Sequence, residues 1–239
     1  MTQDSAAKFD STRAAEYGRQ SRIGLAGYDA CHELSACMLA AAIGTGQAAR
    51  VLVVGAGGTG GEIVAAANLE PAWCFTAVDP SPPMLEIAQT NLTEAGLAER
   101  VRIVPGRVSD LDPAASFDAA IMIGVLHHLP GDSAKREILV EVARRLKPQA
   151  PFVVAGNYRA YASEPLLMAA WANRWRMNGA EPDEVSAKMG KLLQGAEPPR
   201  SEDAVVGMLA DTGFEAPVRY FASLFWGAWM ARRSAMPVS

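Results

Sequence analysis

The stretch Val51-Leu52-Val53-Val54-Gly55-Ala56-Gly57-Gly58-Thr59-Gly60-Gly61-Glu62 decides the fold. Four consecutive apolar residues, three of them β-branched, read as a short buried strand. Glycines then stand at 55, 57, 58, 60 and 61. Glycine lets a turn reach positive φ and lets its backbone approach a ligand closely. Ile63 to Leu69 reads as a helix whose free N–H groups face that turn. A second apolar run, Trp73 to Val78, ends on Asp79, about 20 residues further on, where a carboxylate can accept ribose hydroxyls from a nucleotide lying across the strand ends. Strand, glycine turn, helix, strand, acid: this order describes a nucleoside-binding half of an open α/β sheet. Gly55, Gly57 and Gly60 also satisfy G-x-G-x-x-G, which a dinucleotide-binding dehydrogenase would show, and a tight turn without a ligand gives the same pattern. The rest of the chain has to choose.

With 239 residues, half of them hydrophobic, the chain has material for one large α/β domain or a core with an inserted lid. The formal charge of −4 is mild and no basic run stands out, which argues against a nucleic-acid partner. No apolar leader and no 18-residue apolar span is present, so a soluble cytoplasmic protein without a membrane partner is expected. Cys31, Cys37 and Cys74 lack metal-ligand spacing and are expected to be reduced and packed. His32, His127 and His128 do not suggest a zinc site, so no metal is expected.

Outward from the decisive stretch, Phe9 to Gln20 reads as an amphipathic helix, Gly24 and Gly27 break it, and Tyr28 to Ile43 resumes. Residues 1–46 therefore form a helical cap ahead of a domain spanning 47–239. Tyr17, Arg22, Tyr28 and His32 are unusual cargo for a plain buttress. A proline-started helix follows Asp79 and runs to about Ala95. Val101 to Val104, Phe117 to Gly124 and Pro151 to Ala155 supply three more strands, with a helix from Ser133 to Leu146 whose basic last turn suits its dipole. The rhythm then breaks. Residues 157–200 read as a helical lid, with helices over Pro165 to Met177 and Asp183 to Leu193. After a helix over Ser201 to Thr212, Phe214 to Phe221 and Leu224 to Arg232 read as two strands joined by a short turn. A dehydrogenase would continue βαβ, so the closing antiparallel pair disfavours that reading. The expected architecture is α/β: an open, doubly wound, seven-stranded, mostly parallel sheet with a C-terminal antiparallel hairpin, an N-terminal helical cap and a helical lid insertion.

In this order and spacing, Val51–Gly60, Ala77-Val78-Asp79-Pro80-Ser81 with Met84, the Gly106–Leu111 loop, Phe117-Asp118 leading to Leu126-His127-His128-Leu129, and Leu146-Lys147-Pro148 resemble the class I S-adenosylmethionine-dependent methyltransferases. Phe9-Asp10, Arg13 to Glu16, Arg22-Ile23, Gly27-Tyr28, Met177-Asn178-Gly179 and Phe225-Trp226-Gly227 resemble the carboxy-S-adenosylmethionine synthases and their small-molecule relatives. Two positions depart from the family pattern. Val53 stands where many members carry an acid, and Arg107 stands where an acid often contacts the adenine amine, which leaves Asp110 or the Val108 backbone for that contact.

The resemblance implies S-adenosylmethionine as cofactor, with the backbone of Gly55, Ala56, Gly57 and Gly60 under its amino-acid and ribose parts. Asp79, followed by Pro80, would hold the ribose, and Ser81 and Met84 would lie beside the adenine. Ile123, Gly124 and Val125 would pass behind the sulfur. Arg22 could reach the methionine carboxylate or be a surface helix charge. His127 or His128 could act as a base near neutrality or merely cap the strand end. Tyr17 and Tyr28 could close over the sulfonium or pack in the core. Asn157, Tyr158 and Tyr161 follow the fifth strand, where open α/β sheets place substrate contacts. Trp171, Trp175 and Met177 would line the lid or form its core. The leading expectation is methyl transfer to a small, partly apolar acceptor by in-line displacement, in a monomer or homodimer. A second keeps the cofactor without methylating: cyclisation to azetidine-2-carboxylate with release of methylthioadenosine, with Asn157 or a tyrosine holding the amine, or carboxy-S-adenosylmethionine synthesis with Arg174, Arg176 or Lys188 as the added cation. A third is a non-catalytic module that binds the cofactor.

Overall fold

The computed structural model describes residues 11–235. Seven strands, β1 (Ala49–Val54), β2 (Trp73–Asp79), β3 (Val101–Pro105), β4 (Ala119–Ile123), β5 (Pro151–Asn157), β6 (Phe214–Ser223) and β7 (Trp226–Arg233), form one sheet in the order β3-β2-β1-β4-β5-β7-β6. The pairs among β1 to β5 are parallel, whereas β7 runs antiparallel to both β5 and β6. This is the expected sheet. Its strand order reverses between β1 and β4, so a crevice opens outside the carboxyl ends of those two strands.

Both faces of the sheet are covered, and strand alternation assigns the side chains to them. Leu52, Val54, Ala120, Met122, Phe152 and Val154 join Leu139 and Val142 of α5 (Gly131–Arg145) and Leu209 of α8 (Glu202–Asp211). Val51, Val53, Ile121 and Val153 face the other way, onto Leu39 of α2 (Tyr28–Ile43) and Ile63 and Ala66 of α3 (Gly61–Leu69). Each fully buried Leu, Ile, Val or Phe contributes about 1.5–3 kcal/mol relative to exposure. The central strands can afford no polar side chain, which is why their sequences read as continuous apolar runs.

Several boundaries differ from the sequence reading for identifiable reasons. β4 begins at Ala119, not Phe117, because the Phe117 backbone pairs with Arg145 and Lys147 around an isolated bridge to Leu146, its N–H donating to the Arg145 carbonyl at 2.8 Å and its carbonyl accepting from the Lys147 N–H at 3.0 Å. β5 continues to Asn157 because β7 offers a partner that far, Trp226 standing opposite Asn157. α1 (Ser11–Gly24) runs on past Gln20, and the first residues of the expected helix, Phe9 and Asp10, lie outside the described residues. Of the cysteines expected to be packed, only Cys31 is; Cys37 and Cys74 are exposed.

The cap and lid are joined. α1 lies against α4 (Pro82–Glu94) and against α6 (Pro165–Met177), the first lid helix; α7 (Pro182–Gly195) is the second. At the carboxyl end of α1, Arg174 donates to the carbonyls of Arg22 and Ile23, both at 2.9 Å, and the Trp171 indole donates to that of Gly24 at 2.8 Å. These are carbonyls a helix end leaves without internal partners, so a lid cation and indole complete the cap helix. Among the described residues no helix is long and apolar enough to cross a membrane.

Candidate active site

A cavity of about 720 Å³ opens at the carboxyl ends of β1, β4 and β5, at the strand-order reversal. Gly55, Gly57 and Thr59 form one wall; Ile123, Gly124, His127 and His128, at the exit of β4, form the next. Asn157 and Trp226 close the side towards β5 and β7. Glu16, Tyr17, Gln20, Ser21, Tyr28 and His32 come from the cap, and Trp171, Trp175, Lys188, Lys191 and Leu192 from the lid. Glu62, in the first turn of α3, completes the lining with Gly24, Leu25 and Ala196.

The glycine turn is shaped by what surrounds it. Gly55 has φ +70° and faces Val125, with no room for a Cβ. A Cβ on Gly57 would lie 2.5 Å from Met84 Cβ and 2.9 Å from Asp79 Oδ2. The Asp79 carboxylate accepts backbone N–H bonds from Gly57 at 3.0 Å and Ser81 at 2.8 Å, which ties the end of β2 to the turn after β1. Burial pushes this carboxyl above its usual range, and the Ser81 and Gly57 N–H groups pull it only part of the way back. Tyr17 packs against Gly58, and the Tyr28 hydroxyl hydrogen-bonds to Thr59 Oγ1, so two cap tyrosines hold the turn. Burial raises the Tyr28 phenol, keeping it neutral.

A second polar group of residues sits at the exits of β4 and β5. The Asn157 backbone N–H donates to His127 Nδ1 at 3.3 Å, and its side-chain Nδ2 donates to the Tyr161 hydroxyl at 2.6 Å. Asn157 is 3% exposed and its Oδ1 has no partner. Because a backbone N–H occupies the Nδ1 lone pair, neutral His127 carries its proton on Nε2. Its ring therefore presents a donor, which runs against the expectation that it acts as a base. The Trp226 indole meets the His127 ring edge-on with centroids 5.3 Å apart, and its Nε1 is likewise buried without a partner.

Tyr17, Tyr28, Gly55, Gly57, Ile123, Gly124, His127, His128 and Asn157 thus converge on one cavity, as the sequence suggested. Others stand apart from its lining. Arg22 pairs with Asp29 at 2.6 Å on the exposed surface, with its guanidinium over the Tyr28 ring. The alternative of a surface helix charge describes it, because Asp29, in the first turn of α2, takes the guanidinium first. Tyr158 is buried against Trp229, and its hydroxyl accepts from Arg159 and Arg219. Tyr161 stands behind Asn157, packed on Trp171 and Phe225, so it holds Asn157 instead of lining the space. Arg176 bonds Asn173 on the exposed face of α6, and Met177 is 84% exposed. Ala56, Gly60, Asp79, Pro80, Ser81, Met84, Val108 and Val125 do not line the cavity; Ala56, Ser81, Met84 and Val108 are buried. Asp110 closes its own turn, accepting from the Arg107 N–H at 2.8 Å.

Sequence reasoning missed Glu62, His32 as a lining residue, Lys191 and Trp226. Tyr28 and His32 are spaced i, i+4 on α2, so they share a face. Two polar aromatics on one face of a helix otherwise rich in Ala and Leu were the available signal. Among the described residues no cluster of His, Cys, Asp or Glu could hold a metal ion.

The comparisons with known proteins agree with this geometry. A sequence family described as "Methyltransferase domain" matches residues 51–149, from β1 to the turn before β5. The fold is the α/β methyltransferase fold. Among solved structures, mitomycin 7-O-methyltransferase is 26% identical with a TM-score of 0.60, covering 85% of this chain and 54% of its own. Human N-acetylserotonin methyltransferase, solved in complex with S-adenosylmethionine, is 16% identical with a TM-score of 0.63, covering 94% and 57%. An O-methyltransferase family protein from Burkholderia thailandensis is 18% identical with a TM-score of 0.60, covering 91% and 63%. The chain therefore spans less than two thirds of the length of each of these proteins. No curated protein matches the sequence.

Proposed function

We propose that this protein is an S-adenosylmethionine-dependent methyltransferase acting on a small molecule that carries a hydroxyl or an amine. One observation carries the reading: a single cavity joins the glycine turn to an aromatic chamber, and Asn157 in its wall keeps a buried oxygen unsatisfied. A buried acceptor without a donor costs about 1–3 kcal/mol, so the site is built for a ligand that brings an O–H or N–H. The O-methyltransferases among the structural neighbours favour the hydroxyl.

The residues present fit the cofactor. The backbone at Gly55 and Gly57 lines the cavity where a Cβ would collide, and Asp79 at the end of β2 has a lone pair left on each oxygen after its two backbone bonds. Gly55 and Gly57 would hold the amino-acid and ribose parts, Asp79 the ribose, and Ser81, Met84 and Val108 the adenine. When bound, S-adenosylmethionine supplies a methyl group already activated on a cationic sulfur, so its transfer is an in-line displacement. The chain's own work is then alignment and exclusion of water. Asn157 Oδ1 accepts the acceptor's proton-bearing group and orients its lone pair; Trp171, Trp175 and Trp226 flank the acceptor's apolar body. The cap helices α1 and α2 and the lid helices α6 and α7, tied through Arg174 and Trp171, would close the chamber. His128, partly exposed in the wall, would take the acceptor's proton.

The test is product analysis by mass spectrometry. The purified protein is incubated with S-adenosylmethionine alone and then with a panel of phenols, hydroxy acids and amines. S-adenosylhomocysteine formed only with an acceptor is the expected result. Methylthioadenosine formed without one would replace this reading by cyclisation, and tight binding with neither product would replace it by a non-catalytic module.

A further inference from the structure

Glu62, in the first turn of α3, and His32, on α2, have no part in the scheme above. Glu62 is 9% exposed and His32 4%, yet both contribute to the cavity wall. His32 Nδ1 lies 2.7 Å from the Tyr28 carbonyl, which can only accept, so that nitrogen carries a proton. Its other nitrogen, Nε2, faces Glu62 Oε2 at 3.6 Å. That separation is too long for a direct hydrogen bond. A buried carboxylate and a ring nitrogen thus face each other across a gap neither closes. Burial, the largest influence, pushes the Glu62 carboxyl above its usual range; His32 and the residue's own backbone N–H oppose the rise and Asp79 adds to it. The anionic form accordingly lacks the cation it needs.

We infer that Glu62 and His32 form an ammonium subsite that takes the α-amino group of the cofactor's amino-acid tail. The assignment rests on the cofactor reading proposed above. An ammonium group has three donors and no acceptor, so it can donate to Glu62 Oε2 and, when His32 is neutral, to the Nε2 lone pair. Charge-assisted bonds of this kind are about twice as strong as neutral ones. Placement agrees with chemistry: Gly55, Gly57 and Glu62 line the same cavity, Asp79 accepts from the Gly57 N–H, and Tyr28 and His32 pack against Gly61 at the start of α3. With the ribose at Asp79, a tail crossing the glycine turn ends at the acid in the first turn of α3.

The test is calorimetric, in two arms. On the native protein, S-adenosylmethionine is compared with its analogue bearing a hydroxyl in place of the α-amino group; a loss of at least tenfold in affinity is expected. In the second arm, Glu62→Gln is expected to lose at least tenfold for S-adenosylmethionine and S-adenosylhomocysteine while binding methylthioadenosine, which has no amino-acid tail, as the native protein does. Retained methylthioadenosine affinity shows that the variant is folded. Equal affinity for the amine and hydroxyl compounds, or an equal loss for all three nucleosides in Glu62→Gln, overturns the subsite and leaves the cofactor reading standing. Failure of the native protein to bind any of these nucleosides overturns both.

Discussion

The backbone N–H of Asn157 donates to Nδ1 of His127 at 3.3 Å, joining the end of β5 to the turn after β4. The bond fixes both partners: His127 keeps its proton on Nε2, and Asn157 is held with Oδ1 as its one unsatisfied group.

His127→Gln is therefore expected to fold and to lose less than about tenfold in kcat with any acceptor that turns over. Glutamine can still accept from the Asn157 N–H. A general base would cost about 10²–10⁴-fold on removal. A loss of that size in steady-state kinetics would return His127 to the role of base. Asn157→Ala is expected to cost more, about 10–100-fold in kcat/KM, because it removes the group that aligns the acceptor and leaves the Tyr161 hydroxyl without its donor.

Asp79→Ala is expected to weaken S-adenosylmethionine binding by about 10²-fold or more, the loss of one or two charge-assisted bonds worth about 1.5–3 kcal/mol each. Native binding should also depend on pH with a definite sign. The Asp79 carboxyl is raised by burial, so a proton competes with ribose hydroxyls at a higher pH than it would at an ordinary aspartate. Affinity should fall as pH drops from neutrality, before the usual aspartate range is reached. Titration calorimetry of the native protein and Asp79→Ala at several pH values checks both statements, the difference between their pH profiles isolating the Asp79 contribution.

The legible parts of this molecule were those where local pattern and tertiary role coincide. The run Val51 to Val54 must be apolar because β1 is covered on both faces, and Asp79 stands at the next strand end because the crevice lies there. Tyr17 and Tyr28 were legible as cargo without a purpose. What could not be read was the direction of long side chains. Arg22 has a suitable charge and position, but Asp29 is nearer and captures it. Tyr158 directly follows Asn157, the last residue of β5, yet successive residues of an extended chain point to opposite sides, so one faces the cavity and the other the core behind it. Glu62 ends the decisive stretch itself, but an acid in a first helical turn is ordinary until α2 is known to bury it. Lys135 is fully buried, its ammonium donating to the carbonyls of Leu129 and Gly131 at 2.9 Å each, and nothing in an amphipathic helix sequence separates it from its exposed neighbours.

Two glycine substitutions should move stability in opposite directions. In Gly57→Ala the new methyl meets Met84 Cβ in the first turn of α4 and Asp79 Oδ2 at the end of β2, which flank the β2–α4 connection. Overpacking of this kind costs about 1–3 kcal/mol, and displacing Asp79 also weakens its bond from the Gly57 N–H. Gly190, within α7, has nothing within 4 Å of its would-be Cβ, so Gly190→Ala should gain about 0.5–1 kcal/mol of helix propensity. Urea denaturation of the two variants measures both. A neutral Gly57→Ala would mean that the turn and the β2–α4 connection yield more easily than their packing indicates.

Glu62 provides a pH-dependent stability change that needs no ligand. Its carboxyl is raised in the folded protein by burial and by Asp79, and His32 only partly offsets them. A raised acid binds its proton more tightly folded than unfolded, so folding is favoured most below the unfolded-state value. That advantage is lost as pH rises through the folded-state value. Glu62→Gln abolishes the titration. At neutral pH the variant should melt higher than the native protein, by about 2–4 °C for each kcal/mol of relieved desolvation in a chain of this size. As pH falls towards the ordinary carboxyl range, the native Glu62 becomes neutral as well and the two melting temperatures should converge. Scanning calorimetry of both proteins from neutral to acid pH reads the difference directly. A gap that widened on acidification would show that folded Glu62 is held as an anion by His32, with its carboxyl lowered by the pair.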